Sequence, residues 1–149
     1  MQKILVVLLL ALASCATDSH TPVAGSSDSP LYGRWRNVET KIHRADGTTT
    51  TQTELECVIE ITRTHAISDC SLADGRKARV VSKIVSLTPT LYELEIVENA
   101  TVPRTVGLRS RVDYRIVGNR LYRIVYPPPE GTSPPKSPVV QVDTIYERE

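Results

Sequence analysis

The side chains able to do chemistry are few in this 149-residue chain, and their spacing decides what each can do. Nucleophilic catalysis needs a serine or cysteine placed beside a base. No Gly-x-Ser-x-Gly elbow occurs in the sequence. His20, His43 and His65 stand far apart, and nothing at metal-ligand spacing accompanies them. They read as solvated surface side chains, so no metal or other cofactor is expected. Glu54, Glu56 and Glu60 resemble an acid/base set only in number. Two residues apart on a strand means a shared face, here the polar outer one with no cleft behind it. Arg109, Arg111 and Arg115, with Arg76, Arg79 and Lys83, form a basic stripe that suits anionic lipid. Glu93 and Glu95 lie between the two basic groups, and cross-strand charge pairing is the favoured reading. Tyr92, Tyr114 and Tyr146 fall at inward positions, where they line a ligand pocket or, in a chain with no Phe, simply supply core bulk. No catalytic set emerges, and the chain reads as a non-enzyme.

The remaining chemistry lies in three cysteines. Lys3 and the unbroken apolar run from Ile4 to Ala13 have the form of a secretory signal. Ten apolar residues are too few to cross a hydrocarbon core, which needs about twenty. The stretch Leu12-Ala13-Ser14-Cys15 that ends the run resembles the lipobox of bacterial lipoproteins. The resemblance implies cleavage before Cys15, thioether attachment of diacylglycerol to its sulfur, and a membrane anchor. Ala16, by analogy with enteric-type sorting, favours the outer membrane. Without residues 1–14 the chain carries 17 basic and 17 acidic side chains. Formal neutrality gives no case for nucleic acid. Residues 15–30 hold almost nothing that builds a core and read as a flexible tether of roughly 20 Å root-mean-square span. Residues 31–149 then suffice for one domain.

From Leu31 onward the apolar period is two, with turn residues at short intervals. The expected strands are 33–43, 51–62, 65–72, 76–87, 91–98, 108–117, 120–126 and 139–147. Val38, Thr40 and Ile42 are expected on one face of the first. Gly118-Asn119 signals a tight hairpin, and the proline-rich residues 127–138 read as a stiff connection at the barrel rim. Eight antiparallel strands with one wet face each can close into a barrel, which removes exposed edges. A two-sheet sandwich is the competing architecture.

With Cys15 assigned to lipid, Cys57 and Cys70 remain as a pair in an oxidising compartment. A hairpin centred between Arg63 and Thr64 places Ile59 opposite Ser68 and Cys57 opposite Cys70. With a two-residue turn that pair is a non-hydrogen-bonded one, where the Cα atoms approach closest. A disulfide is expected there.

Leu31-Tyr32-Gly33-Arg34-Trp35 resembles the opening Gly-x-Trp signature of lipocalins and lipocalin-like domains. The resemblance implies an eight-stranded up-and-down barrel whose closed end is plugged by Trp35. It also implies an arginine from near the C-terminus packed across the ring. Arg148 is the expected partner and Arg123 the second candidate. The chain departs from the family pattern in having no helix after the last strand. The acidic turn of the second family motif is also reduced to Val117-Gly118-Asn119.

The expected protein is an outer-membrane lipoprotein whose barrel binds a small apolar or amphipathic envelope molecule. The alternative is a protein-interaction module: an accessory subunit of an envelope assembly, or a periplasmic inhibitor or immunity protein.

Overall fold

A computed structural model describes residues 29–53, 55–72, 74–127 and 138–149. The signal, Cys15, the tether up to residue 28, Glu54 and the proline-rich residues 128–137 lie outside the described residues.

Among the described residues nine strands follow one another: β1 (Gly33–Arg44), β2 (Thr49–Gln52), β3 (Glu56–Ile61), β4 (His65–Ser71), β5 (Lys77–Leu87), β6 (Leu91–Asn99), β7 (Arg109–Val117), β8 (Arg120–Tyr126) and β9 (Val139–Arg148). A 3-10 turn, Pro103–Thr105, sits between β6 and β7. Each strand from β3 to β8 pairs antiparallel with the next, and β9 returns to β1 from Trp35↔Arg148 to Arg44↔Val139. That last ladder closes the sheet into an eight-position, up-and-down barrel and excludes the sandwich. Closure leaves the wall without a free edge along β9.

The expected single strand over 51–62 is two strands. β9 occupies one edge of β1 from Trp35 to Arg44, so β2 and β3 share the other. β3 pairs with Gly33–Arg36 and β2 with Thr40–His43. Between them β1 carries a bulge, where its register against β9 shifts between Asn37 and Glu39. The extra residue, Val38, breaks the alternation, as bulges do. Asn37, opposite Tyr146, therefore takes the inward phase, and Thr40 and Ile42 resume it. The uninterrupted alternation expected over Val38, Thr40 and Ile42 is thus broken at Val38, which has no partner on β9.

The β3–β4 hairpin has the expected register. Cys57 faces Cys70 and Ile59 faces Ser68. The disulfide is formed, with Cα atoms 4.1 Å apart. Gly118-Asn119 joins β7 to β8 as a two-residue loop with Gly118 at φ +60°, the position that a II′ turn reserves for glycine.

The core occupies one end of the barrel. Leu31, Trp35, Ile61, Tyr92, Val112 and Leu121 are fully enclosed there. Towards the other end the inward residues Ile42, Cys70, Ala78, Val80, Ile96, Ser110, Val125 and Val142 are only half-buried. Among the described residues the barrel is thus packed at the end where β1 starts and looser where it finishes.

Candidate ligand-binding site

The packed end is sealed by a clamp built on the Gly33-Arg34-Trp35 entry to β1. The Trp35 indole donates from Nε1 to the Leu31 carbonyl at 2.9 Å, so its only polar atom is satisfied inside the core. The Arg148 guanidinium lies 4.0 Å from the ring centre, a cation–π contact. Its Nη1 donates to the Tyr32 carbonyl at 3.1 Å and its Nη2 to the Pro30 carbonyl. Gly33 adopts φ +132°, and a Cβ there would stand 2.9 Å from Arg148 Nη1. Glycine is thus needed twice, for backbone conformation and for the close approach. Arg34 pairs with Glu149, and the Glu149 amide donates to the Arg34 carbonyl, which ties down the chain end.

Above this plug, the strand registers place the inward side chains in rows that climb around the barrel. One row runs Ile116–Leu121–Tyr146–Asn37. The next runs Tyr114–Arg123–Thr144–Thr40 and is polar throughout. The row beyond, on the looser side, is Val112–Val125–Val142–Ile42, apolar throughout. An arginine at the centre of the wall is the unexpected member, only 6% exposed.

Arg123 lies between two aromatic faces, 5.7 Å from the Tyr92 centroid and 5.5 Å from that of Tyr146. Its Nη1 donates to the Tyr146 hydroxyl over a long 3.5 Å. Its Nε, the Tyr92 hydroxyl and the Thr144 hydroxyl are buried with no hydrogen-bond partner. Among the described residues no carboxylate forms an ion pair with it. Burial disfavours its charge most, yet Tyr92 and Tyr146 together more than offset that, and its pKa lies above the ordinary arginine value. Burial also raises the Tyr92 phenol, against the opposing pull of the Arg123 charge. The interior therefore holds a permanent cation and a neutral phenol.

The three tyrosines expected to face a ligand divide into different roles. Tyr92 and Tyr146 are in the core beside Arg123. Tyr114 packs at 5.5 Å against the Tyr92 ring, but its hydroxyl is committed to the Thr88 carbonyl at 2.9 Å. Burial raises its pKa too. Arg123, the second candidate for stacking on Trp35, lies among the tyrosines instead, because Arg148 fills the place over the indole. Its role was legible in one signal, the alternation Leu121, Arg123, Val125, which puts the arginine on an apolar face.

The outer wall is paired in part. Arg109 meets Glu95 at 2.8 Å across β6 and β7, and Arg79 meets Asp69. Arg111 turns along its own strand to Asp113, Arg115 stacks on Tyr122, and Glu93 accepts from Ser86. Glu56 and Glu60 are exposed. His43 bonds Asp143 and Thr49, while His65 bonds Thr64. No group of three metal-ligating side chains occurs among the described residues.

No protein-family model and no curated protein matches the sequence. Among solved structures, the chain is similar to a lipocalin-like protein from Bacteroides uniformis. That match has 14% identity and a TM-score of 0.49, and covers 80% of this chain and 98% of the other. It is also similar to a de novo designed fluorescence-activating β-barrel, at 16% identity and a TM-score of 0.43, with 80% and 94% covered.

Proposed function

We propose that this protein is a lipid-anchored binding protein of the bacterial envelope, with a barrel that holds one small amphipathic molecule and carries out no catalysis. One observation carries the reading: polar side chains without partners sit inside a barrel sealed at one end and loosely packed at the other. An eight-stranded barrel has room for side chains or for one small ligand. A purely structural interior has no reason to retain unpaired donors, because each costs free energy. The anchor rests on the Leu12–Cys15 sequence, and the outer membrane is the proposed site.

A second reading, an interaction module, has a different observation in its favour. On the outer wall Tyr122, Ile124 and Ile145 line a groove of about 360 Å³ together with Glu39, Lys41, Asp113 and Asp143, and Tyr114, Arg123 and Thr144 of the polar row also border it.

Native mass spectrometry of the full-length protein, extracted from membranes in mild detergent, separates the two. A small-molecule adduct on the wild type supports the carrier. Stoichiometric capture of one envelope protein with no small molecule replaces it with the interaction module. The same preparation tests the anchor, since Cys15→Ser should abolish labelling by a palmitate analogue.

A further inference from the structure

We propose that Arg123 is the internal counter-ion for a single carboxylate on the bound molecule, which is therefore an anionic amphiphile held head-down in the barrel. The inference deepens the small-molecule reading and rests on it.

A guanidinium cannot shed its charge to escape burial, as a lysine can. A buried cation is costly unless it is paired and fully hydrogen-bonded. This chain pairs its arginines freely elsewhere: Arg34 with Glu149, Arg79 with Asp69, Arg109 with Glu95 and Arg120 with Glu147. The inward rows are different. Beside the tyrosines, their polar members include Asn37, Thr40, Ser68, Ser82, Asn99, Ser110 and Thr144, with no Asp or Glu among the described residues. Among the described residues, the one internal cation is thus left without a carboxylate partner.

The surrounding groups indicate what is missing. Tyr92 and Tyr146 cover the guanidinium with ring faces, which leaves its Nε–H unpaired. Thr144 stands directly opposite Arg123 across β8 and β9, and Tyr92 is in ring contact with it. Both carry hydroxyls without partners. The local need is therefore for an acceptor bearing one negative charge and several lone pairs. A carboxylate has both, and its two oxygens match the planar fork of an arginine. A dianionic phosphate would bring a second charge with no cation to meet it. The apolar row Val125–Val142–Ile42 lies on the looser side, where an aliphatic tail would run.

The test measures binding of decanoate and of 1-decanol to the purified full-length protein, wild type and Arg123→Met, by isothermal titration. Wild type should prefer decanoate by about 10- to 100-fold, the value of hydrogen bonds to a charged group. Arg123→Met should erase that preference while 1-decanol binding stays within about threefold. An arginine with only a structural role would lower both affinities together or leave the preference intact, and either result overturns the assignment. Equal binding of the two probes by wild type overturns it while leaving the small-molecule reading in place. That comparison needs no variant to fold. Binding of neither probe overturns the assignment, and the mass-spectrometric search for an adduct then decides the small-molecule reading.

Discussion

Substituting Gly33 by Ala should destabilise the barrel by way of a residue 115 positions away. The added methyl would stand 2.9 Å from Arg148 Nη1, at a backbone φ of +132°. Non-glycine residues held in such regions cost about 1–3 kcal/mol. The guanidinium tip can swing aside, so the overlap itself is cheap. What is lost is what the tip does: a cation–π contact over Trp35 and two hydrogen bonds to the Tyr32 and Pro30 carbonyls. Arg148 is exposed, so these together are worth about 1–2 kcal/mol. The expected total is about 3 kcal/mol, a melting shift of roughly 10 °C for a domain of this size. Urea unfolding under non-reducing conditions, followed by the fluorescence of the single tryptophan, measures it directly. A double-mutant cycle gives the mechanism. Arg148→Met should cost about 1–2 kcal/mol alone, and Gly33→Ala should then cost only its backbone strain. A coupling of about 1 kcal/mol or more is expected. Strict additivity of the two changes, or a Gly33→Ala midpoint equal to wild type, would refute the clamp.

Two further measurements probe the wall and the interior. Reducing Cys57–Cys70, which spans 13 positions, should remove roughly 3 kcal/mol by chain entropy, and an unchanged urea midpoint in reductant would contradict this. Tyr114→Phe should cost about 1 kcal/mol through its lost bond to Thr88, whereas Tyr92→Phe, losing a hydroxyl without a partner, should cost less than about 0.5 kcal/mol; the reverse order would sink the site geometry. Because folding raises the Tyr92 and Tyr114 pKa, the folded state holds their protons longer than the unfolded chain does. Their contribution is then intact below about pH 10 and declines as pH rises above it. Equal stability loss in wild type and Tyr92→Phe between neutral and strongly alkaline pH would remove Tyr92 from that account.

Local pattern was enough for much of this architecture. A period of two between turn residues is a property of the chain alone, and it marks seven of the eight wall positions as single strands close to their observed limits. The Cys57↔Cys70 register followed from the length of one hairpin, because a two-residue turn leaves no freedom in what it pairs. Gly33 and Trp35 were legible as a motif, though not the reason for the glycine, which is the approach of Arg148 from the far end of the sequence. Tertiary structure decided what alternation cannot express. The bulge at Val38, which splits the second wall position into β2 and β3, arises where β1 must satisfy three partner strands at once. Tyr114 was spent on a loop carbonyl that only the fold brings near. Arg123 shows the limit most clearly. The alternation Leu121, Arg123, Val125 permits an inward arginine, but the absence of a carboxylate beside it depends on which strands flank it and which residues they turn inward. The charge of a side chain is written in the sequence, whereas its solvation and its partners are set by the closed barrel.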